Sequence, residues 1–144
     1  MAEIVSFRDL DAWKVAMDLV VSIYSLASRL PASERYELSA QLRKAAVSIP
    51  SNIAEGQAVK GARNLYHVYI ALGSLAEVDT QLELAVRIGL LNSSDVAALR
   101  PALDRTGQLL HGLARALKND LLKKGGRIAG SAAILFVTCM LFLR

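Results

Sequence analysis

Apolar residues recur along this chain at three- and four-residue steps, the spacing that gathers side chains on one face of an α-helix. Ser6 followed by Asp9 has the form of a capping box with an acidic third residue, which suits a helix N-terminus. From there Leu10, Trp13, Met17, Val20, Tyr24 and Ala27 make one stripe that ends near Leu30 and Pro31. Ser33 opens a second helix with the stripe Leu38, Leu42, Ala45, Ile49 and Ile53, and Gly56 reads as its C-terminal cap or break. Pro50 lies inside this stripe, where its missing N–H and its ring predict a kink. After a short polar connection Gly61 to Asn64 restart the chain. Leu65, Val68, Leu72, Leu75, Leu82 and Val86 mark a long third helix ending at Gly89. Asp79 falls on or beside that stripe, and Gly73 with Ala76 forms a low spot where a neighbouring backbone could approach closely. Ser94 and Asp95 cap a fourth helix carrying Val96, Leu99, Leu103, Leu110, Leu113, Leu117 and Leu121, with Pro101 near its second turn.

Strand alternation and internal repeats are both lacking. Four amphipathic helices on short loops predict an all-α fold, an antiparallel up-down-up-down four-helix bundle. With 144 residues the chain suits one domain, residues 1–120, followed by a basic hinge at 121–127 and an apolar C-terminal segment at 128–144.

That last segment differs in kind from the bundle. Lys123, Lys124 and Arg127 flank Gly125-Gly126, and Ile128 to Leu143 carries no charge before Arg144. A helix of that length reaches about 24 Å, against roughly 30 Å of bilayer hydrocarbon. Such a stretch enters lipid, packs against the bundle or other tails, or drives aggregation. Lipid is favoured by the flanking cations and by the Gly126-to-Gly130 spacing, and opposed by the short span and by Gly130, Ser131 and Thr138. The single Cys139 excludes an internal disulfide framework. Met1 to Phe7 carries Glu3 and no basic cluster, unlike a secretory leader, so the expected location is cytoplasmic, or the cytoplasmic face of a membrane if residues 128–143 act as an anchor.

The net charge of +4 first suggests nucleic acid, but its distribution weakens the inference. Met1 to Leu117 holds 12 basic and 12 acidic residues, and Lys118 to Arg144 holds 5 basic residues against Asp120. Within the neutral body the charge is still uneven: from Leu38 to Ala76, Arg43, Lys44, Lys60 and Arg63 face Glu55 alone, a local +3. These four are the nucleic-acid-binding candidates, and cyclic symmetry would repeat them on every subunit.

Catalytic chemistry finds no support in the residue pattern. The two histidines, His67 and His111, follow Asn64 and Gln108 rather than carboxylates, so the Glu-x-x-His pairs of carboxylate-bridged di-metal bundles are missing. There is no phosphate-binding Gly loop, nucleophile elbow or zinc-spaced Cys/His set. Ser48, Ser51 and Ser74 have no evident base and read as packing or capping hydroxyls. The expectation is a protein without catalytic residues, metal or cofactor, its histidines at the surface or against a partner.

One stretch rises above pattern: Gln41-Leu42-Arg43-Lys44-Ala45-Ala46-Val47-Ser48-Ile49-Pro50-Ser51-Asn52-Ile53-Ala54-Glu55-Gly56. Pro50 deprives the Ala46 carbonyl of its helical donor, and Ser51 and Asn52 are residues able to bond freed backbone groups. This stretch resembles the hallmark QLRRAAVSIPSNIAEG of the small four-helix-bundle proteins first described from intervening sequences in bacterial 23S ribosomal RNA genes, with Lys44 in place of arginine. Ala71-Leu72-Gly73-Ser74-Leu75-Ala76-Glu77 and Phe7-Arg8-Asp9-Leu10-Asp11-Ala12-Trp13 resemble two further blocks of that family, and the likeness spans about Phe7 to Leu117. The resemblance implies an antiparallel bundle assembling into a homo-oligomeric ring, usually a pentamer, without known catalysis. Relatives serve as accessory proteins of diversity-generating reverse transcriptases, binding the enzyme and RNA or DNA. It also singles out Ser51, Asn52, Glu55, Ser74 and Glu77 as motif polar residues, tying helices or subunits together or forming a partner site. Trp13, Tyr24, Tyr36, Tyr66 and Tyr69 exceed what a narrow core needs, so some are expected between subunits.

Overall fold

The computed structural model describes residues 6–125. They form four helices, α1 (Asp11–Ala27), α2 (Leu38–Val59), α3 (Gly61–Arg87) and α4 (Ser93–Gly125), with short 3-10 turns at Phe7–Asp9 and Ala32–Glu34, and no strand among the described residues. The helices pack as a bundle in which α2 against α3 is the most extensive contact, and α4 touches both α3 and α1. The apolar C-terminal segment 128–144 and Cys139 lie outside the described residues.

The Ser6–Asp9 box forms as expected: the Asp9 carboxylate accepts the Ser6 N–H at 2.8 Å, and the Ser6 hydroxyl accepts the Arg8 N–H at 3.2 Å. It closes a separate 3-10 turn, because Leu10 adopts an extended backbone before α1 starts. The turn is held by the edge of Phe7 against Trp13, ring centroids 5.3 Å apart.

The buried face of α1 is only partly the one expected: Leu10 and Ala27 of the expected stripe are in the core, but the rest of the face is turned. Ala12, Ala16, Leu19, Ile23 and Leu26 face the core, while Trp13 and Val20 are half-buried and Met17 and Tyr24 are 37% and 44% exposed. Both sets obey helical spacing, since the apolar arc of this helix is wider than one stripe. Ala12 and Ala16 are small, so burying their side lets neighbouring helices come close.

The second helix begins at Leu38 rather than at Ser33. The Ala32–Glu34 turn intervenes, and the Glu34 carboxylate accepts the Leu38 N–H at 3.4 Å. Pro50 is buried inside α2, whose helix continues through it without a break. Gly56 does not end the helix either. It sits inside α2, and the chain turns later, at Lys60 (φ 58°) and Gly61 (φ 61°). Gly56 instead marks where α3 comes closest: a Cβ there would stand 2.6 Å from Asn64 Oδ1 and 3.1 Å from the Asn64 carbonyl oxygen. Gly73, expected to admit a neighbouring backbone, has nothing within 4 Å of a Cβ.

The fourth helix is preceded by Asn92, whose carbonyl accepts the N–H groups of Asp95 and Val96. Its buried positions Val96, Leu103, Thr106, Leu110 and Ala114 keep the expected face, and Thr106 satisfies its hydroxyl on the Ala102 carbonyl at 2.8 Å. Asp79 reaches across to Arg100 at 2.8 Å, a pair joining α3 to α4.

Candidate functional site

The motif residues of α2 meet α3 along a polar seam. Ser74 donates its hydroxyl to Ser48 Oγ at 2.8 Å. Asn52 donates from Nδ2 to the Ser48 carbonyl at 2.9 Å and to Ser48 Oγ at 3.1 Å. A carbonyl only accepts, so the amide orientation of Asn52 is fixed and its Oδ1 points the other way. Oδ1 stands 3.0 Å from His67 Nδ1, which must therefore carry the proton it donates. Glu55 Oε2 is 3.5 Å from the same nitrogen. Below them Asn64, buried, reaches Gln57 Oε1 at 3.4 Å beside Gly56. Positions that advance along α2 thus meet positions that recede along α3.

Each of these part-buried bonds contributes about 1 kcal/mol net or less, and an orphaned partner costs more than that. The seam therefore adds directional bonds to the apolar contacts that set the register of α2 on α3. It does not assemble a nucleophile with a base: Ser48 and Ser74 bond each other and Asn52, while the bonded nitrogen of His67 faces Asn52 and Glu55.

Of the expected motif residues, Asn52, Glu55 and Ser74 belong to the seam. Ser51 is exposed on α2, and Glu77 is exposed on α3, accepting from Gln81 Nε2 at 3.0 Å. The participants that spacing alone did not bring out are Ser48, read as a packing hydroxyl, His67, read as a surface or partner residue, and the pair Asn64 and Gln57. Asn64, His67 and Ser74 sit three and seven residues apart, one helical face, and Ser48, Asn52 and Glu55 are their counterpart on α2.

The basic candidates fall into two pairs. The Arg43 guanidinium carbon lies 5.4 Å from the Tyr24 ring centroid, and its Nε is buried without a hydrogen-bond partner among the described residues. Lys44 next to it is exposed. Lys60 and Arg63 are exposed at the α2–α3 turn, about 25 Å from Arg43 along the axis at ~1.5 Å per residue. Tyr66, one turn beyond Arg63, is 55% exposed, and Tyr69 is 53% exposed. Leu84 on α3 and Ile88 just past its end extend the exposed apolar side chains, and Val21 and Val47 join Met17 and Tyr24 on α1 and α2.

Between α3 and α4 runs an open groove of about 940 Å³, with Leu72, Leu75 and Leu103 among its walls and Gly73, Ala76 and Gly107 keeping it low. Asp104, Gln108, His111 and Arg115 line it from α4. No cluster of metal-ligating side chains occurs among the described residues, and none of the described helices is long and apolar enough to cross a membrane.

The family model of the 23S rRNA-intervening sequence protein matches residues 8–112 of this chain. The chain belongs to that family. The match takes in α1, α2, α3 and α4 up to Gly112, and so includes the whole polar seam and all four basic candidates. A comparison with curated proteins finds no match. Residues 113–144 lie beyond the region matched by the 23S rRNA-intervening sequence protein family.

Proposed function

We propose that this protein is a non-catalytic homo-oligomeric adaptor, built from an up-down-up-down bundle, that binds structured nucleic acid through a repeated surface of basic and aromatic residues. The observation that carries the reading is the set of large apolar side chains left outside a core that is already closed. Leu19, Ile23, Leu42, Ile49, Leu82 and Leu110 are fully buried, yet Tyr24, Tyr66, Tyr69, Val21 and Leu84 stay exposed. Aromatic groups in that state are typical of interface centres. Their placement on two faces, α1 with α2 and the outside of α3, suits a heterologous contact that closes into a ring, for which the family resemblance suggests five subunits.

Lys60, Arg63 and Tyr66 support the nucleic-acid part. They lie exposed within about two helical turns of one another, a combination of cations for phosphate and a ring face for an unstacked base. Arg43 is the weaker candidate, since its guanidinium already covers Tyr24.

Native mass measurement of the chain, together with filter binding to structured RNA and DNA at rising salt, tests both parts. A discrete oligomer is expected, with binding that weakens as salt rises and is cut by Arg63→Ala. A concentration-independent monomer removes the assembly. An oligomer that ignores nucleic acid even at low salt leaves a protein-docking ring, for instance on a nucleic-acid-processing enzyme.

A further inference from the structure

We propose that the open groove between α3 and α4 receives the exposed α1–α2 ridge of a second copy of this chain, with the α1 of that copy antiparallel to α4. The assignment rests on the assembly proposed above and names the two surfaces that make it.

Shape supports it first. On α1, Met17, Val21 and Tyr24 are 37%, 68% and 44% exposed, with Val20 half-buried among them. Ser39 bonds the Ala27 carbonyl and Arg43 lies over Tyr24, so α2 runs back along α1 and Val47, 39% exposed, falls at the level of Val20. These side chains form a protruding apolar ridge. The groove is its counterpart: Leu72 and Leu75 are among its walls, Gly73 and Gly107 keep it low, and a Cβ on Gly73 meets nothing within 4 Å. Both α1 and α3 pack against α2 and α4, so ridge and groove lie on different flanks of the bundle. Each subunit can therefore offer one surface to each neighbour, the head-to-tail contact from which rings are built.

Charge then fixes the direction. The Arg29–Asp95 pair brings the end of α1 to the start of α4, so these helices are antiparallel within a subunit. Rotation about an axis along the bundle keeps them antiparallel between subunits. Laid that way, Asp11 and Asp18 of α1 come to the Arg115 end of the groove, while Arg43 and Lys44, at the level of Tyr24, come to Asp104. The lengths agree: Asp11 to Tyr24 spans about 20 Å along α1, and Arg115 to Asp104 about 17 Å along α4. With Tyr24 opposite Asp104, Val21 falls opposite Gly107. Gly73 is at the same level, six residues before Asp79 as Gly107 is seven beyond its partner Arg100. Large side chains thus meet the lowest part of the groove. The parallel arrangement would set Arg43 and Lys44 against Arg115, and the two α1 carboxylates against Asp104. Asp104 and Arg115 make no ion pair among the described residues, and Arg43 Nε has no hydrogen-bond partner among them.

The test uses the full chain with Cys139→Ser, so that only introduced thiols react. Val21→Cys combined with Gly73→Cys is oxidised and mapped by peptide mass spectrometry. Val21→Cys with Arg105→Cys is the reference, since Arg105 is exposed at the same level of α4 and does not line the groove. The expected result is a disulfide between chains joining position 21 to position 73. Its yield should be at least about tenfold that of the reference, because the contact raises the effective concentration of the two thiols and brings their Cα atoms within about 7 Å. In native mass measurement Arg43→Glu and Asp104→Lys should each lower the mass at equal protein concentration, and the two together should restore it, with helicity by circular dichroism unchanged. A parent chain that is monomeric at every concentration removes the assembly and this contact with it. An oligomeric parent in which both thiol pairs close equally, in which neither charge reversal lowers the mass, or in which the double reversal restores nothing keeps the assembly and overturns the contact. Protection of Gly73→Cys from a maleimide reagent without the disulfide to position 21 also overturns it, by giving the groove to another occupant.

Discussion

Replacing Gly56 by alanine sets two opposing effects against each other inside one helix. Alanine is the better helix former by about 1 kcal/mol, which favours the variant. Its methyl group, however, would stand 3.0 Å from His67 Cβ and 3.1 Å from the Asn64 carbonyl oxygen, both fixed to the α3 backbone. The third contact, Asn64 Oδ1 at 2.6 Å, is a side-chain end that can turn away, but Asn64 is buried and its amide reaches Gln57. Overpacking of this kind costs about 1–3 kcal/mol, and a displaced buried amide about 1 kcal/mol more. The steric side wins, leaving a destabilisation of about 2 kcal/mol and a fall in Tm of about 6 °C. The assay is urea and thermal unfolding followed by far-UV circular dichroism at one fixed protein concentration, since assembly couples to stability. Gly112→Ala is the matched control: that glycine is exposed on α4, nothing lies within 4 Å of its Cβ, and stabilisation by about 0.5–1 kcal/mol is expected. If Gly56→Ala is as stable as the parent, or shifts in the same direction as Gly112→Ala, the close approach of α2 to α3 at this position is refuted.

A double-mutant cycle on Ser48→Ala and Ser74→Ala should return a coupling of about 0.5–1.5 kcal/mol from urea unfolding, reflecting their mutual hydrogen bond; a coupling near zero would mean the hydroxyls do not depend on each other. Lys60→Gly should raise stability by about 1 kcal/mol, because Lys60 holds φ 58° and ψ −178°, a region suited to glycine, and should at the same time weaken nucleic-acid binding; a drop in stability contradicts the backbone argument. Asp79→Asn with Arg100→Gln should show a coupling below about 1 kcal/mol that fades with added salt, since both side chains are 44% exposed; a large, salt-insensitive coupling would count against this. Tyr66→Ser combined with Tyr69→Ser should lower the sedimenting mass with helicity intact, whereas an unchanged mass would exclude the outer face of α3 from the assembly.

What was legible in the residues is what depends on short range. The four helices, their approximate ends and the Ser6–Asp9 box follow from spacing, caps and turn residues within a few positions of one another. The α4 face was legible too, because Leu103, Leu110 and their neighbours form one narrow stripe. The motif from Gln41 to Gly56 carried the family, which the match over residues 8–112 bears out.

Tertiary structure decided everything that required knowing which partner a residue would meet. In α1 the apolar arc is broad enough for two stripes, and only packing selected Ala12, Ala16, Leu19 and Ile23 over Trp13, Met17 and Tyr24. Gly56 reads in sequence as a cap and Gly73 as the point of close approach, yet it is Gly56 that Asn64 presses and Gly73 that opens on a groove. Ser48 and His67 gained their roles from partners 26 and 15 residues away, Ser74 and Asn52. The same lysine and arginine count that reads as one local charge excess divides into two distant pairs once α2 runs unbroken between them. Helical periodicity records which residues share a face; which neighbour covers that face is a property of the packed chain.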